Sequence, residues 1–159
     1  MEEIRKIKLF LASSTVEFAK ERMELGFHIL KLNNMLIDRG VYLWLSVAET
    51  LPRAMTPQGL QDYYNSEIRD SRYFYTIVGR KVGEGTQEEF EMAWKHYKET
   101  GLPEIHTYFL QMPGLEDESV RAFKDRLKGL KHYYDKFDSL DTIKLSIQND
   151  ALRLALDIP

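Results

Sequence analysis

The sequence predicts an α/β fold, with a mainly parallel β-sheet and helices on both of its faces. Short apolar runs alternate with longer amphipathic segments about five times along the chain. The amphipathic segments repeat apolar residues every three or four positions, which is typical of helices. Parallel strands need crossover connections, and such helices supply them. The chain has 159 residues, the size of one domain with a substantial core.

The first half of the chain predicts two strands and two helices. The strands are expected over 7–12 and 41–47, and the helices over about 16–38 and 58–71. Ser13, Ser14 and Thr15 follow the first strand and provide hydroxyls that can cap the first helix. Gly40 marks the end of that helix. Segment 50–59 contains two prolines and reads as a loop, because proline continues neither a helix nor a central strand.

The second half continues the alternation. We expect strands over 73–79 and 105–112 and a short edge strand over 134–138. Helices are expected over 86–100, about 120–134 and 140–154. Gly101 and Pro103 end the helix that begins near residue 86, and Pro113 with Gly114 forms a turn after the fourth element of the sheet.

Composition excludes several classes of function. The chain is 43% hydrophobic and 30% charged, as in ordinary soluble domains. Its formal charge of −3 argues against direct binding of nucleic acid or of an acidic membrane surface. It has no cysteine, which excludes disulfides and thiol nucleophiles, and its four histidines are scattered, so we expect no metal site. No apolar run approaches membrane length, and we expect a cytoplasmic protein.

The turn after the third predicted strand is the main candidate for chemistry. It carries Gly83 and Gly85 and opens a helix, which places backbone N–H groups at the sheet edge where α/β folds bind ligands. Glu89 has two interpretations. It can complete a capping box with Thr86 as the N-cap residue. Alternatively, it lies in a cleft and stabilises or attacks an oxocarbenium-like centre while an N-glycosidic bond is cleaved. Glu88, about 100° away around the helix, is expected to face solvent.

Hydroxyl and cationic residues are expected near the same edge. Ser13, Ser14 and Thr15 can bind phosphate or only cap a helix. Arg80, beside Lys81, can hold a diphosphate or lie in a solvated turn.

Further candidates for substrate binding are an inward-facing cation and several aromatic side chains. Arg22 lies on the apolar stripe of the first helix and requires an anion, for which Glu49 is the default structural partner. Trp44, Tyr63, Tyr64 and Trp94 can stack on a nucleobase, although most aromatic residues at such spacing belong to the core. Glu49, Trp44 and Tyr63 complete the candidate substrate-binding residues.

Four segments together resemble a bacterial TIR-like domain (Toll/interleukin-1 receptor-like). They are KLFLASST (8–15), ER (21–22), QDYYN (61–65) and VGEGTQEEF (82–90). The resemblance covers nearly the whole chain and implies a flavodoxin-like three-layer α/β/α fold with a five-stranded parallel sheet of order 2-1-3-4-5. Such domains are often N-terminal modules of larger proteins, some of them in antiphage defence. We therefore expect residues 1–159 to be one TIR-like domain, followed by a further domain.

The resemblance also implies a reaction. In catalytic TIR domains a glutamate cleaves the nicotinamide–ribose bond of NAD. An apolar residue follows this glutamate directly, and alanine stands four positions after the glutamate. Glu89, Phe90 and Ala93 match that register, whereas Glu88 does not. The similar nucleoside 2-deoxyribosyltransferases use a glutamate to attack a nucleoside. Both relatives imply N-glycosidic chemistry at Glu89, with NAD as substrate and with no cofactor.

The expected function is therefore NAD hydrolysis by a defence or signalling effector. Glu89 would be catalytic, the 13–15 hydroxyls and Arg80 would hold the phosphates, and Trp44 or Tyr63 would wall the pocket. The alternatives are a non-catalytic adaptor that self-associates through the 50–59 loop and neighbouring helices, and nucleoside deoxyribosyl transfer. The position of Glu89 discriminates between them: a cap on Thr86 favours the adaptor, and a cleft shared with Ser13 and Arg80 favours catalysis.

Overall fold

Strands and helices alternate along the whole described chain. The computed structural model describes residues 3–14, 16–47 and 59–157, with side chains described from residue 64 onward in the last range. The elements are β1 (Arg5–Ser13), α1 (Ala19–Leu36), β2 (Val41–Ser46), α2 (Gly59–Arg69), β3 (Tyr73–Val78), α3 (Glu84–Thr100), β4 (Glu104–Leu110), α4 (Glu118–Gly129), β5 (Asp135–Phe137) and α5 (Asp141–Ala155). The predicted alternation is confirmed, with most boundaries shifted by a few residues.

All strand pairs of the sheet are parallel, and the strand order is β2-β1-β3-β4-β5. This order confirms the one implied by the resemblance. β2 lies next to β1 on one side within the sheet, and β3 lies next to β1 on the other side. Ser13 pairs with Ile77, so the segments that follow β1 and β3 leave the sheet side by side. A crevice at the carboxyl ends of such strands is where open α/β sheets bind ligands.

Two apolar cores lie on opposite faces of the sheet. On one face α1 and α5 pack against strand residues such as Leu9 and Tyr75. On the other face α2, α3 and α4 pack against residues such as Phe10 and Phe74. Neighbouring positions along β1 therefore point to different cores, as the pleat requires. β3 is buried along its whole length because it has neighbours on both faces and both edges.

A buried asparagine covers part of the open edge at β2. The Leu43 N–H donates to Asn33 Oδ1 at 2.7 Å, and Asn33 Nδ2 donates to the Leu43 carbonyl at 2.9 Å. β2 pairs only with β1, so these two backbone groups face away from the sheet. The amide of Asn33 thereby makes the two hydrogen bonds that an additional strand would make.

Helix α1 carries apolar residues on the side that faces the sheet and also on the side that faces solvent. Its inner side carries buried residues such as Leu25 and Ile29. Its outer side exposes Met23, Phe27 and Leu30, which follow one another at helical spacing. Among the residues that the structure describes, no helix combines the length and apolar character needed to cross a membrane.

Candidate functional site

Helix α3 begins earlier than the capping-box interpretation requires, and that interpretation is wrong. The N-cap residue is Gly83, in an extended conformation, and no side chain caps the helix. The Gln87 N–H already donates to the Gly83 carbonyl at 3.0 Å. Thr86 is therefore the third residue of the helix rather than the extended residue in front of it. Glu89 lies more than one turn into the helix and makes no cap.

Glu89 instead lines a cleft of about 240 Å³ at the carboxyl edge of the sheet, between the ends of β1 and β3. The lining consists of Phe10, Leu11, Ser13, Ser14, Arg22, Tyr64, Lys81, Gly83, Gly85, Thr86 and Glu89. Among the described residues that line the cleft, Glu89 is the single carboxylic acid and none is histidine. This set lacks the combination of ligands that typically holds a metal ion.

Burial controls the ionisation of Glu89. Loss of solvent raises the pKa of this carboxyl from 4.5 to about 7, while the positive charge of Arg22 opposes the change and the negative charge of Glu88 adds to it. Glu88 itself is exposed, as expected. A carboxyl with a pKa near 7 is ionised about half of the time at neutral pH. Such a value is typical of groups that take part in catalysis.

Arg22 links the cleft to the end of β1. The Arg22 side chain is buried, and its Nη1 donates to the Ser13 carbonyl at 3.1 Å and to the Ser13 hydroxyl. The hydroxyl accepts this bond and keeps its own proton to donate. The expected partner Glu49 lies outside the described residues. Arg22 thus holds Ser13 in place and provides positive charge near Glu89.

Of the two roles expected for the hydroxyls at the end of β1, the structure shows capping by Ser14, and phosphate binding stays a prediction. Ser14 Oγ accepts the Glu17 N–H at 3.1 Å and so caps the turn that precedes α1. Ser14 also lines the cleft, as Ser13 does. Thr15 lies outside the described residues.

The structure does not bring Arg80 into the cleft. Its side chain is exposed, and its backbone N–H donates to both carboxylate oxygens of Glu17, at 3.0 and 2.9 Å. Gly79 permits this contact, because a Cβ atom at that position would lie 2.5 Å from Glu17 Oε1. The next residue, Lys81, lines the cleft. Of these two adjacent cations, Arg80 was the one expected to hold the phosphates, whereas Lys81 is the one that lines the cleft.

The aromatic candidates are separated from Glu89 or not described. Trp44 lies on β2, where Lys6 Nζ sits 4.0 Å from its ring centre, and it is not among the residues that line the cleft. The side chain of Tyr63 lies outside the described part. Tyr64, which was considered for base stacking but not chosen for the site in place of Tyr63, lines the cleft from α2.

Comparison with known proteins identifies the fold. No protein-family model matches the chain, and no curated protein is similar to it at a significant level. The CMP N-glycosidase BcmB of Clostridium botulinum is similar with a TM-score of 0.51 and 15% identity, over 88% of this chain and 97% of that chain. The TIR domain heterodimer of RPS4 and RRS1 gives a TM-score of 0.52 and 9% identity, over 96% and 99%. The predicted TIR-like fold is confirmed, and identities this low show the fold alone.

Proposed function

We propose that this domain hydrolyses the N-glycosidic bond between nicotinamide and ribose in NAD, with Glu89 as the catalytic carboxylate. One observation carries the proposal: Glu89 does not cap its helix but lines a cleft at the carboxyl ends of the adjacent strands β1 and β3. A carboxylate beside the anomeric carbon stabilises the positive charge that develops on the ribose as the bond to the base breaks. The similarity to a CMP N-glycosidase agrees with this class of bond.

Among the described residues of the cleft lining, Glu89 is the single carboxyl, and this suits a leaving group that departs without being protonated. When the bond to nicotinamide breaks, its electron pair goes to the pyridinium nitrogen, and nicotinamide leaves as a neutral molecule. The oxygen of water then bonds to the anomeric carbon, and a proton of that water is released. A neutral pyrimidine base would instead require protonation as it leaves. Glu89 is the single acid among the described lining residues, which favours NAD over a pyrimidine nucleotide.

The cations and backbone amides of the cleft suit the diphosphate of NAD. Lys81 and Ser14 line the cleft together with Gly83 and Gly85, at the amino end of α3. Helix amino termini and lysine side chains bind phosphate oxygens. A volume of about 240 Å³ is at the small end of ligand pockets, so we expect it to hold the nicotinamide riboside unit. The remainder of the dinucleotide would extend from the mouth.

The test is release of nicotinamide from NAD by concentrated or artificially clustered protein. Glu88→Gln is the matched control, because the two glutamates are adjacent and only Glu89 lines the cleft. We expect Glu89→Gln to lower the rate by at least about 100-fold, the usual effect of losing one electrostatic contact to a transition state. Glu88→Gln should retain most of the rate. Equal losses in the two variants would remove Glu89 from the reaction.

Parallel assays separate the related reactions. CMP tests the pyrimidine nucleotide, and a deoxynucleoside with a second free nucleobase tests deoxyribosyl transfer, in which the base replaces water as acceptor. The cellular setting that we propose for NAD hydrolysis is a defence or signalling effector. Its role in antiphage defence and the presence of a domain that follows this segment stay predictions.

A second candidate is a non-catalytic assembly domain, and the outer side of α1 favours it. Met23, Phe27 and Leu30 expose apolar surface around Gly26, and a Cβ atom at Gly26 would meet nothing within 4 Å. Glycine in a helix costs about 1 kcal/mol relative to alanine, yet it lets another helix approach closely. The helix has 18 residues and is about 27 Å long, enough for an antiparallel pair with α1 of a second copy.

The assembly function is tested by sedimentation at increasing concentration. We expect the wild type to self-associate and Phe27→Lys to stay monomeric, because a charge on the stripe opposes burial. Association that is unchanged in Phe27→Lys would exclude this surface. The 50–59 loop, the interface expected from sequence, lies outside the described residues apart from Gly59.

A further inference from the structure

A second cluster of chemically active side chains lies at the opposite edge of the sheet. Glu104 and His106 alternate along the amino end of β4 and therefore point to the same face, where α5 contributes Asp150. His106 Nε2 lies 3.4 Å from Glu104 Oε1 and 3.4 Å from Asp150 Oδ2. One ligand atom from each residue lies within 4.8 Å of the other two. The cluster shares no residue with the Glu89 cleft.

His106 Nε2 is a buried polar atom that makes no hydrogen bond to the described residues. The imidazole ring stacks on Tyr75, with ring centres 5.4 Å apart and ring planes 17° apart. This packing directs Nε2 towards the two carboxylates. Leaving a buried nitrogen without a partner is unfavourable, and such atoms often mark a site for an ion or another ligand.

We propose that Glu104, His106 and Asp150 bind a divalent transition-metal ion of the zinc class. Zinc bonds of about 2.0–2.2 Å to nitrogen and oxygen place neighbouring ligands of a tetrahedron about 3.3 Å apart. The two separations from Nε2, each 3.4 Å, match that distance, and the ligand atoms of the three residues lie within 4.8 Å of one another. An imidazole with two carboxylates suits zinc and neighbouring transition metals, whereas magnesium and calcium prefer oxygen ligands alone.

Surrounding groups orient the most buried ligand. The Tyr75 hydroxyl donates to Asp150 Oδ2 at 2.8 Å, and Arg153 donates to Asp150 Oδ1. Oδ2 retains a second lone pair for the metal. Outer hydrogen bonds of this kind hold metal-binding carboxylates in position.

Charge and access also fit a cation. Two carboxylates and the Arg153 guanidinium leave one net negative charge when the imidazole is neutral, so a divalent ion is attracted. Arg153 Nη2 lies 3.7 Å from Glu104 Oε1, on the side where the Glu104 side chain is 41% exposed. That exposed side provides a path to solvent and a fourth position for water. Because β4 and α5 both contribute ligands, the bound ion would also link the sheet to this helix.

The test is a titration of the folded domain with ZnCl2 and CoCl2 after treatment with a chelator and dialysis. We expect one ion per chain by calorimetry, the visible absorption of tetrahedral Co²⁺, and a higher melting temperature with zinc. His106→Gln and Glu104→Gln should each weaken binding by at least about 100-fold, more than the loss of an outer hydrogen bond. His96→Gln, on α3, is the matched control and should bind as the wild type does.

Glu104→Gln keeps the test decisive, because Glu104 is partly exposed and its substitution should not prevent folding. Circular dichroism without metal should be the same for the wild type and this variant. If the wild type shows no saturable binding, the cluster is only a contact between side chains of the fold and the proposal is overturned. Binding that is equally strong in Glu104→Gln and His106→Gln would overturn it as well. None of these readouts depends on NAD hydrolysis.

Discussion

Replacing Glu89 by glutamine should stabilise the domain, and increasingly so as the pH rises. In the unfolded chain a glutamate titrates at its ordinary value of 4.5, whereas in the fold burial raises the pKa of Glu89 to about 7. Between these values the folded state binds more protons than the unfolded state. Stability of the wild type therefore falls with increasing pH across this window. Glutamine does not titrate and lacks this dependence.

The magnitude follows from the two pKa values. They differ by about 2.5, and each pKa unit corresponds to about 1.4 kcal/mol. The free energy of unfolding of Glu89→Gln, relative to the wild type, should thus rise by about 3 kcal/mol between pH 4.5 and pH 8. Using the change with pH cancels any constant difference in packing or hydrogen bonding between the two side chains. The value already includes the opposing attraction to Arg22.

The assay is urea denaturation of both proteins at several pH values from 4.5 to 8, with Glu88→Gln as the control. Glu88 is exposed, so its variant should follow the wild type at every pH. A flat difference between Glu89→Gln and the wild type would show that Glu89 is solvated. A difference that changes in the opposite direction would mean that the attraction to Arg22 outweighs the effect of burial.

Three further predictions concern the same edge of the sheet. Nicotinamide release should rise with pH up to about 7 and then level off, because the reaction needs ionised Glu89; a rate that falls over this range would assign it an acid role. Lys81→Ala should raise the KM for NAD, whereas Arg80→Ala should leave it unchanged; steady-state kinetics would contradict the proposed cleft if Arg80 had the larger effect. Gly79→Ala should cost about 1–3 kcal/mol of stability, because its Cβ atom meets Glu17 Oε1 at 2.5 Å. In a Glu17→Ala background that cost should fall, as a double-mutant cycle by urea denaturation would show.

Local periodicity was sufficient to predict the class of fold. The apolar spacing around Phe90 and Leu127 defined helices, and the apolar runs between them defined strands. Periodicity did not give the strand order, which came from the resemblance. That Ser13 and Glu89 line the same cleft was predictable, because β1 and the segment that follows β3 reach the same carboxyl edge of the sheet.

The remaining features depend on contacts that local pattern does not contain. The capping-box pattern placed the start of α3 at Thr86, but Gly83 takes the extended conformation first. Arg80 was selected from the sequence to hold the phosphates, but Lys81 lines the cleft, while the Arg80 N–H binds the Glu17 carboxylate. The cluster of Glu104, His106 and Asp150 was not predictable from spacing, because Asp150 comes from α5 and the packing of α5 on the sheet brings it to the other two residues.

The hydrogen bonds of Asn33 bear on how the domain behaves when crowded. At high protein concentration the open edges of many sheets come close together. An edge with unpaired backbone groups can then pair with a strand of another molecule and polymerise. The Asn33 amide already satisfies the backbone N–H and carbonyl of Leu43 on β2, so these two groups are not available to pair with a strand of another molecule. Asn33→Leu should convert concentrated samples into thioflavin-positive aggregates, and a clear solution of that variant would contradict this role. Asn33 thereby closes part of the open edge of β2 to the addition of a further strand.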